Sequence, residues 1–365
     1  MPDKHSTVNA TGWAARIKRW RRNNRRRLND LLTRLTGTPT PRRRPLATGT
    51  RRILVVRLNK RLGNILFLTP MLRTLAAGLP TARIDVLIQD ARQAALLESL
   101  PGVGRIWVQQ RGLWGLLGQL RTLRAQHYDL AIDPSGNSTS NRLAVALSGA
   151  RQRMGFAGRS QWLRLTHAAP RPRSRHQAEQ GVELLLDSVT GTDFQRLDTL
   201  AVFPDERAQA EASRHWRRAL GDETTPVVGF FTAATGRKQM PADWWHRWQN
   251  ALQTRLPGAR LLQICPPGQT DSALPGAASV AIAELDVLAA LLSRLQAFVA
   301  ADSGPMHLAA AAGVPVVGLF RATQPARYAP LGHDCTSLTE PELDAERAAG
   351  AVVEAVVRPR RRGVA

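Results

Sequence analysis

Four residues near the end of the chain, Asp302, Ser303, Gly304 and His307, have the types and spacing of an anion-binding site. An apolar run ends at Asp302, and Pro305 is followed by small residues in a helix pattern. This order predicts a buried strand, a tight turn and a helix whose free N–H groups favour a negative ligand such as a diphosphate. His307 would reach that ligand from the first turn. Asp302 would bind a hydroxyl or position a cation; the simpler alternative is that Asp302 or Ser303 only caps the helix.

A further candidate, Lys238, follows an apolar run that ends at Thr232, and Pro241 opens the next helix pattern. A lysine in such a loop can pair with a phosphate as a mobile charge, and the alternative is a solvated lysine. Three tryptophans that follow at helical spacing are expected to pack in the core or between domains: Trp244, Trp245 and Trp248.

The segment RRILVVRLNKRLGNILFLTPMLRTL, residues 51–75, has a strand pattern, a cationic turn and a helix pattern over residues 65–77. The turn contains Arg57, Lys60, Arg61, Gly63 and Asn64 but no acid. It therefore favours an anionic ligand, with a solvated loop as the alternative. Asn64 is also a suitable N-cap for the helix that follows.

Strand and helix patterns alternate from residue 51 onward, which predicts an α/β fold of two doubly wound, Rossmann-like domains. Predicted strands cover residues 53–58, 84–88, 105–108, 130–133, 227–232, 261–265, 297–301 and 314–320. Ligands of such sheets bind beyond the carboxyl ends of the strands, where the charged loops lie.

We divide the chain into a basic amphipathic arm (1–50), a first domain with the interdomain connection (51–205), a second domain (206–340) and a C-terminal helix with a basic tail (341–365). A final helix over residues 341–357 is expected to pack back across the first domain.

Composition limits the classes of function. The chain has 365 residues and a formal net charge of +23, so anionic partners are expected. Only two cysteines are present, without CxxC spacing, which argues against a zinc site or a disulfide scaffold. Neither a signal peptide nor a membrane-spanning run is predicted.

The arm holds thirteen Lys and Arg but only two acids, and its Trp and Leu residues recur mostly at helical intervals. Such a helix suits an anionic membrane surface. A disordered solubilising tail is the main alternative. Nucleic-acid binding is less favoured because no recognised RNA motif accompanies the charge.

Four segments resemble the signature segments of the ADP-heptose:lipopolysaccharide heptosyltransferases, glycosyltransferase family 9. They are RILVVRLNKRLGNILFLTPMLRTL, YDLAIDPSGNSTSNRLAVALSGARQRMGF, GRKQMPADWW and ADSGPMHLAAAAGVPVVGLF. The similarity runs from about residue 51 to about residue 332 and leaves out the arm. The segment with DSGPMH is the most specific of the four.

The resemblance implies a GT-B architecture, in which two Rossmann-like domains face each other across a cleft. The second domain would bind the nucleotide sugar, ADP-heptose, and the first an anionic lipopolysaccharide core acceptor. Transfer would invert the anomeric centre without a cofactor or a metal ion. Donor-binding positions of the family fall on Asp302, Ser303, Gly304 and His307, and the lysine that stabilises the departing ADP falls on Lys238.

The cationic turn at the end of the first predicted strand resembles the acceptor-side loop of the family. Four of its residues would then contact the acceptor: Arg57, Lys60, Arg61 and Asn64. Asn64 departs from the family, which has its catalytic base, an aspartate, at this position. A carboxamide cannot take a proton from the acceptor hydroxyl. Three accounts follow: Asp133 serves as the base, leaving-group stabilisation carries the reaction while Asn64 orients the acceptor, or transferase activity is lost and binding is kept.

Two further departures concern the second domain. Arg321 stands where the family usually has glycine, so its cation would lie near the nucleotide and change donor geometry or preference. Met240 replaces a common tryptophan, which we interpret as a change in packing.

The sequence therefore predicts an inverting heptosyltransferase at the cytoplasmic face of the inner membrane, attached peripherally. One alternative is a family relative that uses another nucleotide sugar. The other is a catalytically silent or nucleic-acid-binding basic protein, against which the charged strand ends of both domains argue.

Overall fold

The structure is a computed structural model that describes residues 37–136, 138–158, 161–221, 225–269 and 273–358, together with residues 20, 24, 31 and 35. Most of the predicted arm helix and the cationic tail after Arg358 lie outside the described residues. Within the described part of the chain, no helix is both long and apolar enough to cross a membrane.

The first sheet has six parallel strands in the order β4-β3-β2-β5-β6-β7. Its strands are β2 (Arg52–Arg57), β3 (Arg83–Ile88), β4 (Val103–Val108), β5 (Leu130–Ile132), β6 (Gln152–Phe156) and β7 (His167–Ala169). A separate pair is formed by β1 (Arg44–Pro45) and β8 (Val189–Thr190). The four strands predicted for this domain are confirmed. Sequence analysis missed β6 and β7, which lack the β-branched residues that mark a strand.

The second sheet has the parallel order β11-β10-β9-β12-β13-β14. Its strands are β9 (Val227–Phe231), β10 (Arg260–Cys265), β11 (Ala278–Ala281), β12 (Ala297–Ala301), β13 (Val316–Phe320) and β14 (Thr336–Thr339). The central strands β9, β12 and β13 are buried along their whole length because helices cover both faces of the sheet. The predicted α/β fold with two parallel sheets is confirmed.

Helices connect the strands and cover the sheets. In the first half of the chain they are Leu62–Leu66, Thr69–Gly78, Ala94–Glu98, Gly112–Ala125, Thr139–Leu147 and Glu179–Ser188. In the second half they are Glu206–Leu220, Ala242–Arg255, Leu285–Leu292, Gly304–Ala311, Pro325–Tyr328 and Ala345–Val357.

Strand order reverses once in each sheet, and this positions the charged loops. In the first sheet β2 pairs with both β3 and β5, so the loops after β2 and β5 separate at the sheet edge. In the second sheet β9 occupies the equivalent place between β10 and β12. Crevices form where such loops diverge, which makes these two points the expected ligand sites.

The helix predicted over residues 65–77 is two helices, Leu62–Leu66 and Thr69–Gly78. Pro70 lies at the start of the second helix and has no N–H for the ladder, so a new helix begins there. Asn64 lies inside the first helix, whose N-cap is Arg61. The interpretation of Asn64 as an N-cap is therefore wrong.

The final helix and the last part of the predicted arm pack differently from what the sequence predicted. The final helix, Ala345–Val357, packs on Ala242–Arg255 within the second domain, so the prediction that it crosses the first domain is wrong. Near the N-terminus, Thr38 is buried and its hydroxyl donates to the backbone oxygen of Leu163 at 3.0 Å. Residues 38–50 of the predicted arm therefore belong with the first domain.

Candidate active site

The loops that follow β9 and β12 bring Lys238 onto Asp302. The two strands pair side by side, so the turn Gly236–Lys238 lies next to the start of the helix Gly304–Ala311. Lys238 Nζ is 2.8 Å from Asp302 Oδ2, and it also donates to the backbone oxygen of Asp302 at 3.2 Å. Of the roles considered for Asp302, the structure shows the positioning of a cation.

The other carboxylate oxygen of Asp302 faces a buried histidine. Asp302 Oδ1 lies 3.3 Å from His307 Nε2. Burial alone would raise the pKa of Asp302, but the hydrogen bonds and charges of His307 and Lys238 outweigh it and lower that pKa to about 2. Asp302 is thus ionised at neutral pH.

Burial lowers the pKa of His307, although the hydrogen bond and charge of Asp302 oppose this. A neutral imidazole must donate through Nε2–H here, since a carboxylate only accepts. Its Nδ1 is buried and has no hydrogen-bond partner among the described residues. The imidazole therefore keeps a free acceptor atom.

The structure shows different local environments for Ser303 and Gly304, which the sequence analysis had grouped in one anion-binding motif. Ser303 is the N-cap residue by position, yet its side chain makes no capping hydrogen bond. A Cβ on Gly304 would lie 3.1 Å from Leu62 Cβ, so the glycine favours the close approach of the neighbouring helix. Side-chain capping, the simpler alternative for this motif, is not what the structure shows.

Arg321 lies on the same side of the second sheet. Its Nη1 donates to the backbone oxygen of Gln239 at 3.2 Å, one residue beyond Lys238. The guanidinium is exposed and therefore adds positive charge beside the lysine loop. The three predicted core tryptophans are buried in the second domain, which confirms their packing role.

The first domain contributes a cavity of about 650 Å³ at its own switch point. Three of the four predicted acceptor-binding residues, Arg57, Arg61 and Asn64, line it, whereas Lys60 is exposed and does not line it. Arg57 Nε donates to the backbone oxygen of Asn64 at 3.3 Å. Burial lowers the pKa of Arg57, and the charge of Asp133 opposes that shift.

The two halves of the site touch directly. A Cβ on Gly63 would lie only 2.9 Å from His307 Cδ2. The ring of Phe67 meets the His307 ring edge-on with centroids 4.6 Å apart. The helix Leu62–Leu66, which follows the cationic loop of the first domain, is therefore packed against the helix Gly304–Ala311 of the second.

Comparison with known proteins decides the family. The family model for glycosyltransferase family 9 (heptosyltransferase) matches residues 118–351, more than half of the chain. The chain belongs to glycosyltransferase family 9. The family match supports the prediction that the chain is a glycosyltransferase.

Curated relatives agree with this assignment. Lipopolysaccharide heptosyltransferase 3 of Escherichia coli K12 is 27% identical over 285 residues, which cover 72% of this chain and 80% of the relative. Lipopolysaccharide heptosyltransferase 1 of Pseudomonas aeruginosa is 25% identical over 300 residues, which cover 75% and 79%.

Solved structures show the same fold. A family 9 glycosyltransferase from Veillonella parvula superposes with a TM-score of 0.70 at 19% identity and covers 85% of this chain and 97% of its own. ADP-heptose lipopolysaccharide heptosyltransferase II of E. coli gives a TM-score of 0.66 at 21% identity, with coverage of 84% and 98%. The predicted GT-B architecture is confirmed.

Asp133 lies behind the cavity wall of this glycosyltransferase. It is 2% exposed, and its Oδ1 accepts hydrogen bonds from Ser135 Oγ at 2.8 Å and Asn141 Nδ2 at 3.0 Å. Burial raises its pKa, and the hydrogen bonds of Asn141 and Ser135 and the charge of Arg142 oppose the shift. Ser135 and Asn141 line the cavity, so they separate the carboxylate from a ligand there.

Sequence analysis missed two cations of the cavity, Arg171 and Arg327. Arg171 belongs to a proline-bearing stretch that interrupts the strand–helix pattern, and Arg327 reaches the cavity from the second domain. Among the described residues, the side chains that line the cavity thus include four arginines and no acid. The position of Arg171 between two prolines was the available signal in the sequence. That Arg171 and Arg327 meet in one cavity depends on long-range packing, which the sequence pattern does not show.

Replacing Gly63 by Ala tests the contact between the two domains. Helix propensity alone would make the change stabilising, but the added methyl group would collide with His307. We expect Gly63→Ala to lower the free energy of unfolding by about 1–3 kcal/mol, as overpacking does. Urea denaturation measures this change in the free energy of unfolding.

Gly350→Ala is the matched control, since nothing lies within 4 Å of its added Cβ in the helix Ala345–Val357. This variant should gain up to about 1 kcal/mol. Equal stability of the two variants would contradict the packing seen at His307.

Proposed function

We propose that this glycosyltransferase moves a heptose from ADP-heptose to an anionic acceptor of the lipopolysaccharide core, with inversion at the anomeric carbon. The observation that carries the proposal is the pairing of two switch points. One holds a lysine fixed by a buried carboxylate, and the other holds a cavity whose described lining includes four arginines and no acid. The names of the curated relatives favour this substrate class.

On the donor side, Lys238 would stabilise the charge that develops on the departing ADP. An ammonium group has three N–H donors. Two of them are directed at Asp302, so the remaining one is available to a phosphate oxygen. Because Asp302 stays ionised, the ammonium is oriented before the ligand binds, which is what transition-state stabilisation requires. Arg321 would add a second cation near the nucleotide.

Nucleotide affinity tests the donor site. Lys238→Ala and Asp302→Ala should each weaken ADP binding about 10-fold or more, because a charge-assisted hydrogen bond contributes about 1.5–3 kcal/mol. Isothermal titration calorimetry with ADP and ADP-heptose measures the effect. Lys60→Ala removes an exposed lysine from the other domain and serves as the control. An intact protein that is indifferent to every nucleotide sugar would refute the proposal.

On the acceptor side, the arginine-lined cavity favours a glycan with phosphate or carboxylate groups. Arg57 is the last residue of β2 and Arg61 lies in the loop after it. Arg171 approaches from the connection between the domains, and Arg327 from the second domain. Guanidinium groups bind such anions with paired hydrogen bonds, which gives them geometric selectivity. We propose this cavity as the acceptor site, with Asn64 in its wall.

Acceptor kinetics test the two arginines that the structure adds. Arg171→Gln and Arg327→Gln should raise the acceptor KM about 10-fold at low salt and leave the donor KM unchanged. The effect should shrink as ionic strength rises. Arg218→Gln, on the outer helix Glu206–Leu220, is a control with the same change of charge. If the acceptor KM rose equally in all three variants, the loss of net charge would explain the effect and the cavity would not be the acceptor site.

The acceptor proton needs a destination because Asn64 cannot take it. We propose that the acceptor hydroxyl gives its proton to Ser135 Oγ while the Ser135 proton moves to Asp133 Oδ1, 2.8 Å away. The hydroxyl oxygen then forms the bond to the anomeric carbon as ADP departs. A raised pKa makes Asp133 a better proton acceptor than an exposed carboxylate. This supports the first of the three accounts drawn from the sequence.

Turnover separates the accounts. Asp133→Asn should lower kcat by about 10²–10⁴-fold, whereas Asn64→Ala should have a small effect. Asp133 must be ionised to accept a proton, so activity should fall with decreasing pH at a value above the usual aspartate range. That acid limb should disappear in Asp133→Asn. The reverse order of effects, with Asn64→Ala more damaging, would favour leaving-group stabilisation with Asn64 as an orienting residue.

For localisation, we propose peripheral binding at the cytoplasmic face of the inner membrane through the arm. Trp20, Leu31 and Leu35 are exposed, and residues 1–36 hold ten Lys and Arg. Cations near an anionic leaflet contribute about 1 kcal/mol each.

Deleting residues 2–36 should abolish salt-sensitive binding to anionic vesicles and keep the packed residues from 38 onward. Unchanged vesicle binding would refute the role of the arm. The predictions that no metal ion and no cofactor take part rest on the resemblance alone and stay predictions.

A further inference from the structure

Exposed apolar side chains on two contacting helices of the first domain form a group that we call the apolar cluster. Trp114 and Leu117 are 83% and 42% exposed on the helix Gly112–Ala125, and Leu143 is 50% exposed on the helix Thr139–Leu147. Leu123, on the opposite face of the first helix, is buried in the domain core. The exposed side chains are therefore held by a folded element.

Arginine predominates over acids in the part of the sequence that contains this cluster. Residues 99–128 contain no acid, and Arg121 lies on the exposed face of the helix, one and two turns beyond Leu117 and Trp114. Arg111 is exposed immediately before the helix. From residue 99 to residue 178 the chain has twelve arginines and only two acids, Asp129 and Asp133.

Both helices begin at the edge of the sheet where the acceptor cavity opens. Gly112–Ala125 follows β4 and Thr139–Leu147 follows β5, so each starts at the carboxyl ends of the parallel strands. The loops after β2 and β5 line the cavity at that same edge. Trp114, in the first turn, and Leu143, in the second, are thus on the cavity side of the domain.

We propose that Trp114, Leu117 and Leu143, with the arginines around them, form a docking surface for an anionic lipid bilayer, separate from the arm. An amphipathic helix with tryptophan on its apolar face and arginine beside it suits the headgroup region of such a bilayer. Docking there would hold the cavity facing the bilayer. This consequence rests on the proposed lipid-linked acceptor, but the docking surface does not.

A second copy of the chain fits the cluster less well. A twofold contact would place the same patch of each chain against the other. The arginines would then face one another without an acid in residues 99–128 to pair with them. Anionic headgroups remove this repulsion, so charge complementarity favours lipid.

Vesicle sedimentation with the full chain tests the surface. Trp114→Gln combined with Leu117→Gln should reduce binding to phosphatidylglycerol-containing vesicles at least fivefold. Phe203→Gln, an exposed aromatic residue outside the cluster, should bind as the parent chain does. Brominated lipids should quench less tryptophan fluorescence in Trp114→Phe than in the parent chain, which locates the contact at this residue.

Several outcomes would overturn the proposal. Vesicle binding could be unchanged in the double variant, or quenching could be unchanged in Trp114→Phe. A change of oligomeric state in the double variant, with vesicle binding intact, would identify a contact between copies instead. If the proposal holds, the double variant should transfer to a deacylated, water-soluble acceptor at a rate within twofold of the parent chain. Its transfer to the acylated form of that acceptor in vesicles should be lost.

Absence of transfer by the parent chain in both assays would refute the proposed function and leave the result on vesicle binding unaffected.

Discussion

The buried carboxylate of Asp302 holds the two parts of the site together. One oxygen fixes the Lys238 ammonium group, and the other faces His307. His307 in turn packs against Gly63 and Phe67 of the first domain. A charge this deeply buried is stable only while its partners remain in place. The position of Lys238 and the contact between the domains therefore depend on the same group.

Charge is distributed unequally across the cleft. At the proposed donor site, the lysine is balanced by a carboxylate, which orients it and leaves a single N–H for a phosphate. At the proposed acceptor site, four arginines line the cavity and none of the described lining residues is an acid, so the cavity favours an anion. The first arrangement suits a transition state that develops charge at a fixed place, and the second suits selection of an anionic glycan.

Sequence reasoning succeeded where the signal was local. Strand patterns ending in a charged loop predicted the strand ends at which the cavity and the pair Lys238–Asp302 lie, and the order of residues around Asp302 predicted a strand followed by a helix. It failed where distant segments meet. The expected capping role of Asn64 is absent because the first helix begins at Leu62, with Arg61 as its N-cap, and so includes Asn64. Gly304 was interpreted through its ligand, whereas its close neighbour is Leu62 from the other domain.

Contacts between distant segments also explain why the sequence analysis missed two cavity arginines and predicted the wrong partner for the final helix. Arg171 and Arg327 are far apart in the chain and meet only through packing between the domains. The final helix has an apolar face that could cover either sheet, and its partner is the tryptophan-bearing helix Ala242–Arg255. No periodicity within a single segment distinguishes such choices.

The central claim is that this glycosyltransferase transfers heptose with inversion to an anionic core acceptor. The most direct measurement is the product formed from ADP-heptose and a deacylated core acceptor, characterised by mass spectrometry and by NMR at the new anomeric centre. The account predicts released ADP and one added heptose whose anomeric configuration is opposite to that of the donor. Retained configuration, or transfer from a different nucleotide sugar while ADP-heptose stays unused, would contradict it.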